Sequence, residues 1–191
     1  SFGPKTIFAS GQLCYWKDGR DVPDVMTAIM QYPESKEHPA FQLMLRVNFV
    51  SGQGNKGITR FIGSEGVMDM LDNGFNLSHS IMSKAPGIGG WDAIHSYPQA
   101  MQGELKKQYD LKYTAEEKKR PEKPGMNYTE PEGYDEHLQH FINFFDGVRD
   151  NKPLVEGPEF AFRAAAPTLA CNDSYFQKKI INWDPVNMKV V

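Results

Sequence analysis

The chain has 191 residues, 40% of them hydrophobic, with a formal net charge of -3 at pH 7 and a pI near 6.0. That length fits one domain of ordinary size with a real core and would be cramped for two. With 21 Lys and Arg against 24 Asp and Glu there is no broad basic field for nucleic-acid phosphates or anionic lipid, and no apolar run nears the roughly 20 residues of a membrane span, so no nucleic acid and no membrane are expected as partners.

In chain order, the first half reads as strands. Residues 5–12 are rich in β-formers. Residues 24–32 alternate, with Val25, Thr27, Ile29 and Gln31 on one side and Met26, Ala28, Met30 and Tyr32 on the other, so this strand is a candidate for burial on both faces. Residues 41–50 repeat the pattern: Phe41, Leu43, Leu45, Val47 and Phe49 share a dry face, and Gln42, Arg46 and Asn48 share the other. After a Gly-rich polar turn over residues 51–57, residues 58–63 and 67–71 form a predicted hairpin bent at Ser64-Glu65-Gly66, and connections this short imply antiparallel pairing.

Between residues 72 and 133 the pattern weakens. A helix is predicted from Pro98, suited to a first turn after Ser96, to about Tyr109. The charged run Glu116-Glu117-Lys118-Lys119-Arg120, with Pro121, Pro124 and Pro131 after it, reads as a solvated excursion. The clearest helix covers residues 135–149, where Leu138, Phe141, Ile142, Phe145 and Val148 make one apolar stripe and Asp150-Asn151-Lys152-Pro153 stops it. Another helix opens near Pro158 and carries Phe160, Ala164, Leu169 and Tyr175, with Pro167 predicting a kink or break, before residues 180–184 return to strand. Strands first and helices afterwards give an α+β expectation: an open, mainly antiparallel sheet with helices packed on one face, and residues 1–191 as a single domain.

Chemistry is sparse. Cys14 and Cys171 lie too far apart for a disulfide framework or a C-x-x-C metal pair, and each is expected as a small buried hydrophobe. No G-x-G-x-x-G leading from a strand into a helix and no P-loop is present, so no phosphate cradle at a helix N-terminus is encoded, and Gly87-Ile88-Gly89-Gly90 lacks a flanking strand and reads as a mobile loop. His137 and His140 sit three apart on the predicted helix, a spacing that can place two imidazoles side by side toward one metal, but the neighbouring Asp135 and Glu136 suit a helix first turn, so no metal is expected. No nucleophile triad is readable. The segment Trp16-Lys17-Asp18-Gly19-Arg20-Asp21-Val22-Pro23-Asp24 combines an aromatic platform with mixed charges between two strands. A polyhydroxylated ligand needs that combination, since it offers C–H faces to stack and hydroxyls to pair, although a polar turn with Trp16 packed over the sheet edge has the same letters.

Four stretches, in order along the chain, resemble the C-terminal domain of Gfo/Idh/MocA-family oxidoreductases: Trp16 to Arg20 with Pro23-Asp24, then Phe61-Ile62-Gly63-Ser64-Glu65-Gly66, His140 to Arg149, and Trp183-Asp184-Pro185. The resemblance implies a parent that binds NAD or NADP in an N-terminal Rossmann domain and moves a hydride to or from a sugar or polyol, while this domain walls the substrate and makes a homo-oligomer contact. It further implies no cofactor and no catalytic residue in this chain, which would be inactive alone; by the chemistry of the loop, Trp16, Lys17 and Arg20 are the first candidate substrate contacts, followed by His137 and His140 on the helix. The family's D-x-x-x-H element has no copy here. Glu122-Lys123-Pro124 spells the family's E-K-P, yet follows Lys118-Lys119-Arg120-Pro121 instead of an apolar strand and is read as coincidence. The start, Ser1-Phe2-Gly3-Pro4-Lys5, lacks an initiator Met and a signal-peptide layout, which suggests a processed or truncated chain and leaves bacterial cytoplasm or periplasm open. A stand-alone binding or scaffold domain and the C-terminal part of an NAD-dependent glycosidase stay open as alternatives.

Overall fold

The strands β1 (Thr6–Gln12), β2 (Val25–Tyr32) and β3 (Phe41–Asn48) pair antiparallel in sequence, and β8 (Ile181–Asp184) and β9 (Lys189–Val190) add to the free side of β1, giving the order β3-β2-β1-β8-β9. The computed structural model describes residues 3–52, 54 and 56–191. Of the turn predicted over residues 51–57, Gln53 and Asn55 lie outside the described residues, as do the opening Ser1 and Phe2. Residues 1–191, read above as one domain, group into two compact units, Ser1–Asn55 with Asp135–Val191, and Lys56–Tyr134. Among the described residues no helix is long and apolar enough to cross a membrane.

In the first unit, α4 (Pro158–Gln177) lies on one face of the sheet. Ala166, Pro167, Ala170, Cys171 and Ser174 recur at helical spacing, and these small side chains let the helix approach closely. They meet Ile7 and Ala9 of β1, Ala28 and Met30 of β2, and Ile181 and Trp183 of β8, with Tyr32, Leu43 and Leu45 closing the cluster. Burying each large side chain here is worth roughly 1.5–3 kcal/mol. Pro167 does not break the helix, which runs through it, and is itself fully buried. Ser174, also fully buried, accepts the Ala9 N–H at 2.9 Å and donates to the Lys179 carbonyl at 2.6 Å, tying β1 to the end of the helix.

Three burial expectations need correction. In β2 only the Ala28–Met30 side is fully buried, because α4 packs on that face, while Val25, Thr27 and Ile29 on the other are half-buried. In β3, Leu43 and Leu45 reach the core while Phe41, Val47 and Phe49 stay exposed beyond the reach of α4. Cys171 is buried as expected, but Cys14 is exposed, since it stands in a surface loop. The predicted stripe helix is present as α3 (Glu136–Asp150), capped by Asp135, whose carboxylate accepts the Leu138 N–H at 2.9 Å, and ended by Asn151 in the left-handed region (φ 52°). Its stripe is solvent-facing, with Leu138 57% and Phe141 59% exposed.

The second unit is a four-stranded antiparallel meander of β4 (Thr59–Ile62), β5 (Gly66–Leu71), β6 (Gly74–His79) and β7 (Met126–Thr129). Its first turn is closed by the Gly63 N–H to the Gly66 carbonyl at 2.9 Å, at the predicted bend. The register puts Phe61, Met68, Met70, Phe75, Leu77, Met126 and Tyr128 on one face. Helices α1 (Gln99–Lys112) and α2 (Ala115–Lys118), the latter with a Thr114–Glu117 capping box, fill the connection between β6 and β7. The architecture is α+β, with two open antiparallel sheets.

Candidate functional site

The long connection from β1 to β2, residues 13–24, carries Trp16, Lys17 and Arg20, and it is built around one carboxylate. Asp24 closes the loop and is only 2% exposed. Its Oδ1 accepts the Cys14 N–H at 2.7 Å, and its Oδ2 accepts those of Tyr15 and Trp16 at 2.7 and 2.9 Å. Burial pushes this carboxyl up, but the amides of Cys14, Trp16 and Tyr15 outweigh burial and hold it at about 2. The Asp24 carbonyl accepts the Phe49 N–H at 2.9 Å, just past β3. Pro23 rests on Gly11, where a Cβ would stand 2.9 Å from the proline ring and 3.0 Å from the Val25 carbonyl oxygen, so glycine is required there. Gly19 turns the loop tip with φ 98°.

At the tip, Arg20 forks onto Asp18, Nε to Oδ1 at 2.8 Å and Nη2 to Oδ2 at 2.6 Å, while its guanidinium carbon stands 5.7 Å from the Trp16 ring centroid. The Arg20 hydrogen bond brings the Asp18 carboxyl down to about 2, and the return bond from Asp18 raises Arg20. Tyr15 meets Trp16 edge-on at 5.1 Å, and 46% of Trp16 remains exposed. Lys17 is exposed beside it. Chemically the loop offers an aromatic face with cationic donors at its rim.

The two predicted histidines do not join this loop: among the described residues no hydrogen bond, ion pair or ring contact links them to it. His137 is exposed on the first turn of α3, with Nδ1 3.3 Å from Glu136 Oε1. Its ligand atom lies within 4.8 Å of those of Asp135 and Glu136, but all three residues are exposed and the Asp135 carboxylate is already engaged as the helix cap. His140 instead lines a cavity of about 490 Å³ with Asn143, Phe144, Asp146, Lys152 and Glu156. Lys152 is held there by Asp146 at 2.9 Å and Asp150 at 3.6 Å.

Sequence reasoning missed Asp24 as an anchor and Asn143, Asp146 and Glu156 as cavity walls. Asp24 reads as part of an ordinary polar loop, Asn143 and Asp146 as the polar side of a helix, and Glu156 as part of the coil after it. The Gly87–Gly90 segment is not a free loop: Asp92 accepts the N–H groups of Gly89 and Ile94 at 2.9 and 3.3 Å, and His95 Nε2 is 2.9 Å from the Gly89 carbonyl. Glu122-Lys123-Pro124 lies in coil between α2 and β7, with Lys123 Nζ 4.0 Å from Glu65.

Among the described residues no long helix opens on a Gly-rich run of amides. α3 opens on Asp135 and Glu136 and α4 on Pro158 and Glu159, negative or donor-poor where a pyrophosphate needs amides, and α1 follows Pro98 without a Gly-rich strand-to-helix turn.

No protein-family model matches the chain, and no curated protein does. Among solved structures it is similar to a provisionally assigned oxidoreductase from Bacteroides fragilis, at 13% identity and TM-score 0.45, over 95% of this chain and 46% of that one. It is also similar to the provisionally assigned oxidoreductase YvaA from Bacillus subtilis, at 11% identity and TM-score 0.48, over 95% of this chain and 45% of that one. The chain thus spans less than half the length of these two proteins.

Proposed function

We propose that this chain is the substrate-side and oligomer-forming domain of an NAD- or NADP-dependent oxidoreductase acting on a sugar or polyol, inactive alone. The observation that carries the reading is the pinned loop: the segment from Trp16 to Asp24, one of the four that resemble the oxidoreductase family, folds into a half-exposed indole rimmed by Arg20, Lys17 and Asp18. A pyranose or cyclitol ring presents C–H groups to such an indole and hydroxyls to such a rim. Hydride transfer needs cofactor and substrate held together, and this chain contributes the substrate wall while the nicotinamide cofactor belongs to another domain of the parent.

The homo-oligomer part of the reading rests on the sheet face turned away from α4. There Phe8, Ile29 and Met44 align across three strands, flanked by Thr6, Gln31 and Gln42 on one side and Ser10, Thr27 and Arg46 on the other. An apolar row bounded by polar rows is the composition of a subunit contact.

Two measurements test the assignment. In the parent enzyme, assayed against hexoses and inositols, Trp16→Ala is expected to raise KM about tenfold, the worth of roughly 1.4 kcal/mol, without lowering Tm; an unchanged KM removes the loop from the site. Calorimetric titration of this chain with NAD and NADP is expected to show no binding, and a micromolar dissociation constant would overturn the division of labour.

A further inference from the structure

A connection as long as residues 13–24 is ordinarily mobile, and a platform that must be ordered by its ligand loses affinity to that ordering. Here three successive amides, of Cys14, Tyr15 and Trp16, all donate to the single carboxylate of Asp24. At 2% exposure that carboxylate is out of competition with water. One of the three amides is that of Trp16 itself, so the anchor acts on the backbone unit that carries the indole. The anchor is in turn fixed to the sheet, through the Phe49 N–H on its carbonyl and through Pro23 seated on Gly11. Two of the three acids in the loop turn outward: Asp18 holds Arg20, and Asp21 is exposed. Asp24 alone among them faces in.

We propose that Asp24 is the positioning residue of the substrate site: its carboxylate pre-orders the turn over residues 14–16, so that the Trp16 ring is presented to a pyranose or cyclitol before the ligand arrives. This rests on the reading of Trp16 as the sugar platform. Asp24 does not touch the ligand, and its influence passes through the backbone.

The test uses the full chain and Asp24→Asn, which keeps the volume but replaces one acceptor oxygen with a donor. Amide hydrogen exchange is followed by NMR at Cys14, Tyr15 and Trp16, with Ala9 and Met30 as core references, and the Trp16 indole resonance is followed on addition of D-glucose and myo-inositol. The expected result is exchange at least about tenfold faster at the three loop amides, unchanged protection in the core, and polyol binding weakened by about tenfold. Loosened amides with unchanged polyol affinity would show a purely structural anchor and overturn the positioning role, as would amides that do not loosen. A wild-type chain whose Trp16 ignores every polyol, even with loosened amides in the variant, would sink the platform reading instead, and the proposal with it. Should Asp24→Asn fail to fold, Asp24→Glu carries the same test: it keeps the charge but displaces it by one methylene, and undisturbed loop amides together with undiminished affinity would refute the proposal.

Discussion

Ser174→Ala tests the packing of the first unit. β8 pairs with β1 only at Thr6↔Asn182 and Ile7↔Ile181, so beyond Ile7 that side of the ladder ends. The Ala9 N–H there is taken up by the fully buried Ser174 hydroxyl at 2.9 Å, which also donates to the Lys179 carbonyl at 2.6 Å. Each bond is worth about 1 kcal/mol net, and a buried donor left unmade costs about 1–3 kcal/mol. Alanine returns roughly 0.5 kcal/mol of helix propensity. The balance is a loss of about 2 kcal/mol, or about 4–8 °C in Tm for a chain of this size. Urea denaturation followed through tryptophan fluorescence, with Trp183 buried in the same core, reads the stability. Amide exchange at Ala9 reads the bond directly. A loss below about 0.5 kcal/mol with Ala9 still protected would show that the Ser174 hydroxyl does not hold β1 to the helix.

Two further predictions concern the loop and the thiols. Because the folded Asp24 carboxyl sits at about 2, below its ordinary 3.8, the stability it lends is fully present above that ordinary value and is lost as pH falls through about 2; the Trp16 amide shift is expected to titrate near that lower pH, and a midpoint near 4 would contradict the anchor. Ellman's reagent is expected to label exposed Cys14 in the native chain and to reach Cys171, whose thiol burial pushes up, only after unfolding; fast native labelling of both would overturn the packing of α4.

How much of the fold was legible follows from which segments carry their own period. β2 and α3 appear where alternation and the i, i+3, i+4 stripe placed them, because those patterns are strong over eight and fifteen residues. β6 and β7 were invisible: Phe75 and Leu77 give only two apolar beats, and Met126–Thr129 offers four residues inside a charged, Pro-rich stretch, so their strand state comes from pairing with each other and with β5. The α3 stripe shows the converse limit. Periodicity reports that a helix has an apolar face, and not what covers it; Phe141 and Val148 stay exposed.

The loop over residues 13–24 was legible by composition and illegible by direction. Trp16, Lys17 and Arg20 do share one loop, as their adjacency required, whereas His137 and His140, only three residues apart, divide between an exposed acidic turn and a cavity wall. Arg20, picked out as a ligand contact, has its fork on Asp18 and its guanidinium carbon 5.7 Å from the indole centroid. Asp18, Asp21 and Asp24 are the same letter at three-residue spacing, and nothing local to them selects the one that turns inward. The selection is made across the hairpin, where Gly11 admits Pro23 and so carries Asp24 under the amides of the turn. A side chain at Gly11 would therefore disturb Trp16 through Asp24, although neither residue at the ends of that chain of contacts is a neighbour of the other in sequence.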